Sequence, residues 1–205
     1  MMKDKKKYQI LLFIILIAMV ASGCKTGGLF QMKEDVDKPL IPATINGVTT
    51  TLNISLPFEM TDKGKEEPIP ADVKEYVTKS QRFSGNNKDM VVTLVSVNYK
   101  KELFVNASTN DIKGVLQTAV DEDMQAMKQH KSIQNLQYKI DESSADGNPA
   151  LLVNITYKNG KNSMKCKTVY TIKSCEAWCI ICEYMDSDNI MEERAKEVIN
   201  SIRLN

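Results

Sequence analysis

Three dipeptides, Asn46-Gly47, Asp146-Gly147 and Asn159-Gly160, set much of what this chain can become, because each lies beside residues that favour extended backbone. Asn-Gly and Asp-Gly accept the positive φ of tight turns, so each marks a place where a strand doubles back on its neighbour. Thr44-Ile45-Asn46-Gly47-Val48-Thr49 predicts a first hairpin. Its second strand continues at period two through Leu52, Ile54 and Leu56 until Pro57 limits the ladder. Met90 to Tyr99 is a near-continuous apolar strand, and Leu136-Tyr138-Ile140 alternates. Further strands are expected over 150–157, 165–173 and 177–185. A two-residue turn at Ser174-Cys175 would set Lys167 opposite Cys182.

Helical spacing is confined to three places. Asp72 can cap a short helix running to about Lys79, with Val73, Tyr76 and Val77 on one face. Residues 106–110 supply a loop and an N-cap for the best helix, Asp111 to about Gln129. Its apolar stripe is Ile112, Leu116, Ala119, Val120, Met124 and Met127, and the acidic run Asp121-Glu122-Asp123 is assigned to other, solvated faces. Ser187 or Asp188 starts a last helix with Met191, Ala195, Val198, Ile199 and Ile202 inward. This order predicts an α+β fold: one domain with a mostly antiparallel β-sheet flanked by helices.

The beginning of the chain does not read as part of that domain. Lys3, Lys5, Lys6 and Lys7 form a positive start, and Ile10 to Val20 is an unbroken apolar run of the length of a signal-peptide core, too short to span a bilayer stably. Ala21-Ser22-Gly23-Cys24 follows and looks like a bacterial lipobox, in which the cysteine receives the lipid. The expected organisation is therefore a signal peptide over 1–23, a lipidated Cys24 with a tether over 24–41, and the folded domain over 42–205. Lipidation at Cys24, by diacylglycerol and a further acyl chain such as palmitate, would hold the protein on the extracytoplasmic face of a membrane.

Charge narrows the partners. Loss of residues 1–24 takes away four lysines and Asp4, so the formal charge falls from +1 to −2. A near-neutral domain has no electrostatic footprint for nucleic acid. The expected partners are the membrane, through the anchor, and an envelope protein or a small ligand.

Several landmarks resemble the PsbP-like family: Asn46-Gly47 leading into Ile54-Ser55-Leu56-Pro57-Phe58, the strand Val91 to Tyr99 before a long helix, Asp146-Gly147-Asn148-Pro149-Ala150 opening a strand, and the ending Val198-Ile199-Asn200-Ser201-Ile202. The resemblance spans about 44–205. It implies a binding or accessory role and carries no catalytic signature.

Chemistry-bearing residues are few. Cys175, Cys179 and Cys182 have the C-x3-C-x2-C spacing of radical-SAM enzymes, but residues three apart on a strand point to opposite faces and cannot easily share a cluster. A zinc site with Cys166 is also disfavoured, and no cofactor is expected. Outside the cytoplasm, Cys166, Cys175, Cys179 and Cys182 are candidates for disulfides, with buried free thiols as the alternative. His130 is the one histidine, so a Ser-His-Asp triad would depend on it alone, and its place after the long helix suits a solvated helix end. Trp178 suits the core, or a surface binding patch. The reading favoured is an accessory or binding protein without enzyme activity. Its rivals are a thiol enzyme using Cys175 or Cys179 and a structural spacer.

Overall fold

The computed structural model describes residues 38–61, 64–71 and 73–205. Cys24, the signal peptide, nearly all of the tether and Asp72 lie outside the described residues. Among the described residues ten strands and two α-helices follow in order: β1 (Ile41–Asn46), β2 (Thr51–Leu56), β3 (Lys65–Glu66), β4 (Val77–Asn86), β5 (Met90–Tyr99), α1 (Thr109–Gln129), β6 (Ile133–Ala145), β7 (Asn148–Asn159), β8 (Asn162–Lys173), β9 (Glu176–Met185), α2 (Asn189–Asn200) and β10 (Arg203–Leu204). They build two antiparallel sheets, a large one ordered β3-β4-β5-β9-β8-β7-β6 and a small one ordered β1-β2-β10.

The fold corrects the α+β expectation of a sheet flanked by helices. It is mostly β, and one face of its large sheet is covered by a second sheet as well as a helix. The sharpest local difference is at Val77, where strand β4 begins and the sequence suggested a short helix. Residues 73–76 make only a turn. The i, i+3, i+4 apolar spacing of Val73, Tyr76 and Val77 is real, but a helix so short is marginal. Pairing Val77–Asn86 along all of β5 satisfies far more backbone.

Elsewhere the turn chemistry holds. Asp146 and Gly147, with φ of 52° and 79°, link β6 to β7, and Gly160, with φ of 61°, opens the β7–β8 turn. Ser174, with φ of 57°, begins the β8–β9 turn, and Lys167 stands opposite Cys182 as expected. The first hairpin differs. Asn46 pairs with Thr51, so Gly47–Thr50 form a four-residue loop rather than a two-residue Asn-Gly turn.

That loop has a physical reason in Glu176, a carboxylate with no solvent exposure at the start of β9. The amides of Val48, Thr49 and Thr50 donate to it at 2.8, 3.0 and 2.7 Å. The hydroxyls of Thr49 (3.2 Å), Thr50 (2.7 Å) and Ser96 donate as well. Burial alone would raise the carboxyl, but these donors hold it below its usual range. Trp178, fully buried, donates its indole N–H to Thr50 Oγ1 at 2.8 Å and stacks on Phe83. One buried carboxylate thus fastens the small sheet to the large one.

The two faces of the large sheet carry two cores, because alternate residues of β9 point to opposite sides. Ala177, Cys179 and Ile181 face α1, with Leu116, Val120 and Met124 above them. Trp178, Ile180 and Cys182 face the small sheet and α2, against Leu52, Leu56, Met191 and Val198. Each helix starts on a proper cap: Ser108 and Asp111 form a capping box on α1, and Asp188 accepts the amides of Ile190 and Met191 on α2. Among the described residues no helix is long and apolar enough to cross a membrane.

Candidate functional site

An open cleft lies on the α2 side of the large sheet, where the covering layer stops short of β6. Cross-strand register creates it. One row across the sheet reads Val92, Cys182, Lys167, Asn154 and Lys139, from β5 to β6. The adjacent row reads Met90, Tyr184, Lys165, Thr156 and Gln137. Both rows are apolar or aromatic under the cover and polar beyond it. The polar ends, with Glu192 of α2 as a wall, line a cleft of about 410 Å³.

Its charges are paired but not saturated. Lys167 Nζ donates to Asn154 Oδ1 at 2.7 Å and lies 3.8 Å from Glu192 Oε1. Lys165 Nζ is 3.0 Å from Glu192 Oε2 and 3.1 Å from Asp186 Oδ1. Lys139 pairs with Asp141 at 2.7 Å. The hydrogen bond from Lys165 holds Glu192 below the usual carboxylate range and, in return, raises the Lys165 ammonium. Burial pulls Lys167 down, ahead of the opposing effect of Glu192. Amide, hydroxyl and ammonium groups in this pattern can hold a polar ligand by hydrogen bonds and charge.

No pattern in the sequence groups Lys139, Asn154, Thr156, Lys165, Lys167 and Glu192 as one site. Lys165 and Lys167 alternate with buried Cys166 and Thr168, which reads as an ordinary half-exposed strand. Only pairing three strands in register gathers them.

The cysteines are distributed differently from a site. All four are buried free thiols. Cys166 and Cys179 belong to the α1-side core and Cys182 to the other, so the faces diverge as the spacing implied. Burial, as the largest cause, raises the thiols of Cys166 and Cys179 and pushes Cys182 up to about 12. Cys175 sits in the turn, 3.8 Å from both Thr49 Oγ1 and Asn98 Nδ2. Among the described residues no three His, Cys, Asp or Glu side chains gather as a metal site. His130 is the C-cap of α1, 2.8 Å from Ser132 through Nδ1. Trp178 is core.

Asp123 corrects the placement of the acidic run on solvated faces. It is 1% exposed beneath α1, accepting from Tyr170 Oη at 2.7 Å, while its Oδ1 has no partner. Burial pushes its carboxyl up to about 7, against that hydrogen bond and with Glu122 adding to the rise. The signal was present: position 123 follows Ala119 by four and Val120 by three, on the apolar stripe itself. On the same side of the sheet another buried acid, Glu183, accepts from Tyr157.

No protein-family model matches the chain, and no curated protein matches it; the resemblance to the PsbP-like family gains no support there. Solved structures with some likeness include LpqN of Mycobacterium tuberculosis, described as involved in cell envelope biogenesis (11% identity, TM-score 0.44, covering 83% of this chain and 94% of that one). A protein of unknown function from Pseudomonas aeruginosa, PA94, has 10% identity and a TM-score of 0.37 over 65% of this chain and 90% of its own. The extracellular domain of PknH from Mycobacterium tuberculosis has 12% identity and a TM-score of 0.35, over 80% and 82%. At such identities and scores, all below 0.5, the likenesses assign neither family nor role, and the cleft stands on this chain's own geometry.

Proposed function

We propose that this is a lipid-anchored binding or accessory protein of the cell envelope, held on the extracytoplasmic face of a membrane by Cys24 and presenting its cleft to a polar ligand or partner, without catalysis. The observation that carries the reading is the sequence Ala21-Ser22-Gly23-Cys24 directly behind a basic start and an eleven-residue apolar run from Ile10 to Val20. Growth of the host with an alkyne-bearing palmitate tests it. The wild-type protein should take up the label and sediment with membranes, and the Cys24→Ser form should do neither. An unlabelled, soluble wild-type protein would overturn the anchor.

The cleft, a concave surface lined by Tyr138, Ile155 and Tyr184 as well as by polar side chains, weighs against a spacer that binds nothing. Against a thiol enzyme stands the burial of every cysteine in the domain, which keeps each sulfur out of reach of a substrate. Rapid labelling of native protein at neutral pH, confined to Cys175 or Cys179, would reverse that preference.

A further inference from the structure

We infer that the cleft takes a ligand with a phosphate or carboxylate group on a hydroxyl-bearing scaffold, and that Glu192 is the internal carboxylate this ligand displaces. The inference rests on the cleft being the binding site.

Lys165 and Lys167 are two residues apart on β8 and so project from the same face. Both approach one carboxylate, Lys165 at 3.0 Å from Glu192 Oε2 and Lys167 at 3.8 Å from Glu192 Oε1. One oxygen towards each ammonium is the contact an external carboxylate or phosphate would make, so Glu192 occupies the place of a ligand's charge. An alternative partner for Glu192 is at hand. Lys196, one turn further along α2, lies 4.0 Å from Glu192 Oε1. The Glu192 side chain is 27% exposed, so it can turn away from the cleft without movement of the helix. Once it turns, Lys165 and Lys167 face the cleft with Asp186 as the nearest remaining counter-charge.

The surrounding groups specify the rest of the ligand. Gln137, Asn154 and Thr156 line the same cleft on β6 and β7, with Tyr184 on β9. They offer amide and hydroxyl partners spaced by the sheet at about 4.8 Å per strand. Such a lattice suits several hydroxyls of one scaffold better than an apolar body or a lone ion. A neutral ligand would leave Glu192 on its lysines and gain nothing from them. Two envelope sources share this chemistry, a charged sugar unit and the headgroup of an anionic, glycerol-bearing lipid.

The test uses the full-length protein in phosphatidylcholine nanodiscs, followed by amide NMR. Glucose 6-phosphate and glucuronate are expected to shift Thr156, Lys167 and the first turn of α2. Glu192→Gln should lower the half-saturating concentration about threefold or more, and Lys167→Met should raise it about tenfold. Both substitutions nearly preserve side-chain length, and an unchanged spectrum away from the cleft shows that the fold is kept. Cleft signals already shifted in phosphatidylglycerol nanodiscs would name the lipid headgroup as the source, whereas their appearance only with the soluble probes would name the sugar. Glucose shifting the same amides with equal affinity would overturn the anionic assignment while leaving the cleft as the site. Failure of either anionic probe to shift the cleft, in both wild type and Glu192→Gln, would overturn the inference outright. Label uptake at Cys24 judges the anchor independently of either outcome.

Discussion

Asp123→Asn should convert a pH-dependent part of the stability into a constant. The wild-type carboxyl is buried with Oδ1 unpartnered and holds its proton up to about pH 7, against an ordinary value of 3.8. Between those pH values the native protein keeps a proton that the unfolded chain has released, so native stability falls as pH rises. Each pH unit in that window is worth about 1.4 kcal/mol, so the whole change amounts to about 4 kcal/mol. Below about pH 4 both states are protonated and above about pH 7 both are ionised, so the effect is flat outside the window. Asparagine keeps the size and an acceptor for Tyr170 but does not titrate. Urea unfolding of both proteins at pH 4, 5, 6, 7 and 8 isolates this one group, because every other titration cancels in the difference. Wild-type stability relative to Asp123→Asn should fall by about 4 kcal/mol between pH 4 and pH 8. A difference constant to within about 1 kcal/mol would refute the buried, proton-holding carboxyl.

Other consequences are equally direct. A Cβ at Gly47 would overlap the Glu176 carboxylate, so Gly47→Ala should cost at least about 3 kcal/mol in urea unfolding, the equivalent of one or two charge-assisted hydrogen bonds. Glu176→Gln should cost about 2 to 3 kcal/mol at pH 7. The folded carboxyl is depressed, so its stabilisation is full above the unfolded value of 4.5 and fades as pH falls through the lower folded value; a cost that grew on acidification would contradict this. Ser108→Ala should cost about 1 kcal/mol, measured by denaturation, through loss of the α1 capping box. Native protein should leave all four domain cysteines unreacted with a thiol reagent on a timescale over which the urea-unfolded protein reacts fully.

The sequence reveals those elements whose burial is one-sided or complete. Met90–Tyr99 is apolar along its length because both faces are covered, and the stripe of α1 is legible because the helix has one buried side. β4 is hidden for the opposite reason. As a strand near the sheet's edge it carries Lys79, Gln81, Arg82 and Asn86, and its place is fixed by pairing with β5 rather than by its own pattern. Asp123 and Glu176 were misjudged or overlooked because a carboxylate is normally solvated. Their burial depends on donors from distant segments, Tyr170 for one and the 48–50 loop for the other. The cleft is a property of register. Lys139, Asn154 and Lys167 become neighbours only when β6, β7 and β8 align, and no local pattern encodes where α2 stops covering them.

Whether the cleft is where this protein meets its ligand or partner is tested most directly by photocrosslinking in living host cells. A benzophenone amino acid is placed at Thr156, in the cleft, or at Asp121, exposed on α1 beyond the other face of the sheet. A discrete adduct should form from position 156 and not from 121, and should vanish when Cys24→Ser or Lys167→Met is added. Adducts of equal yield from both positions, or none from 156, would contradict the cleft as the functional surface.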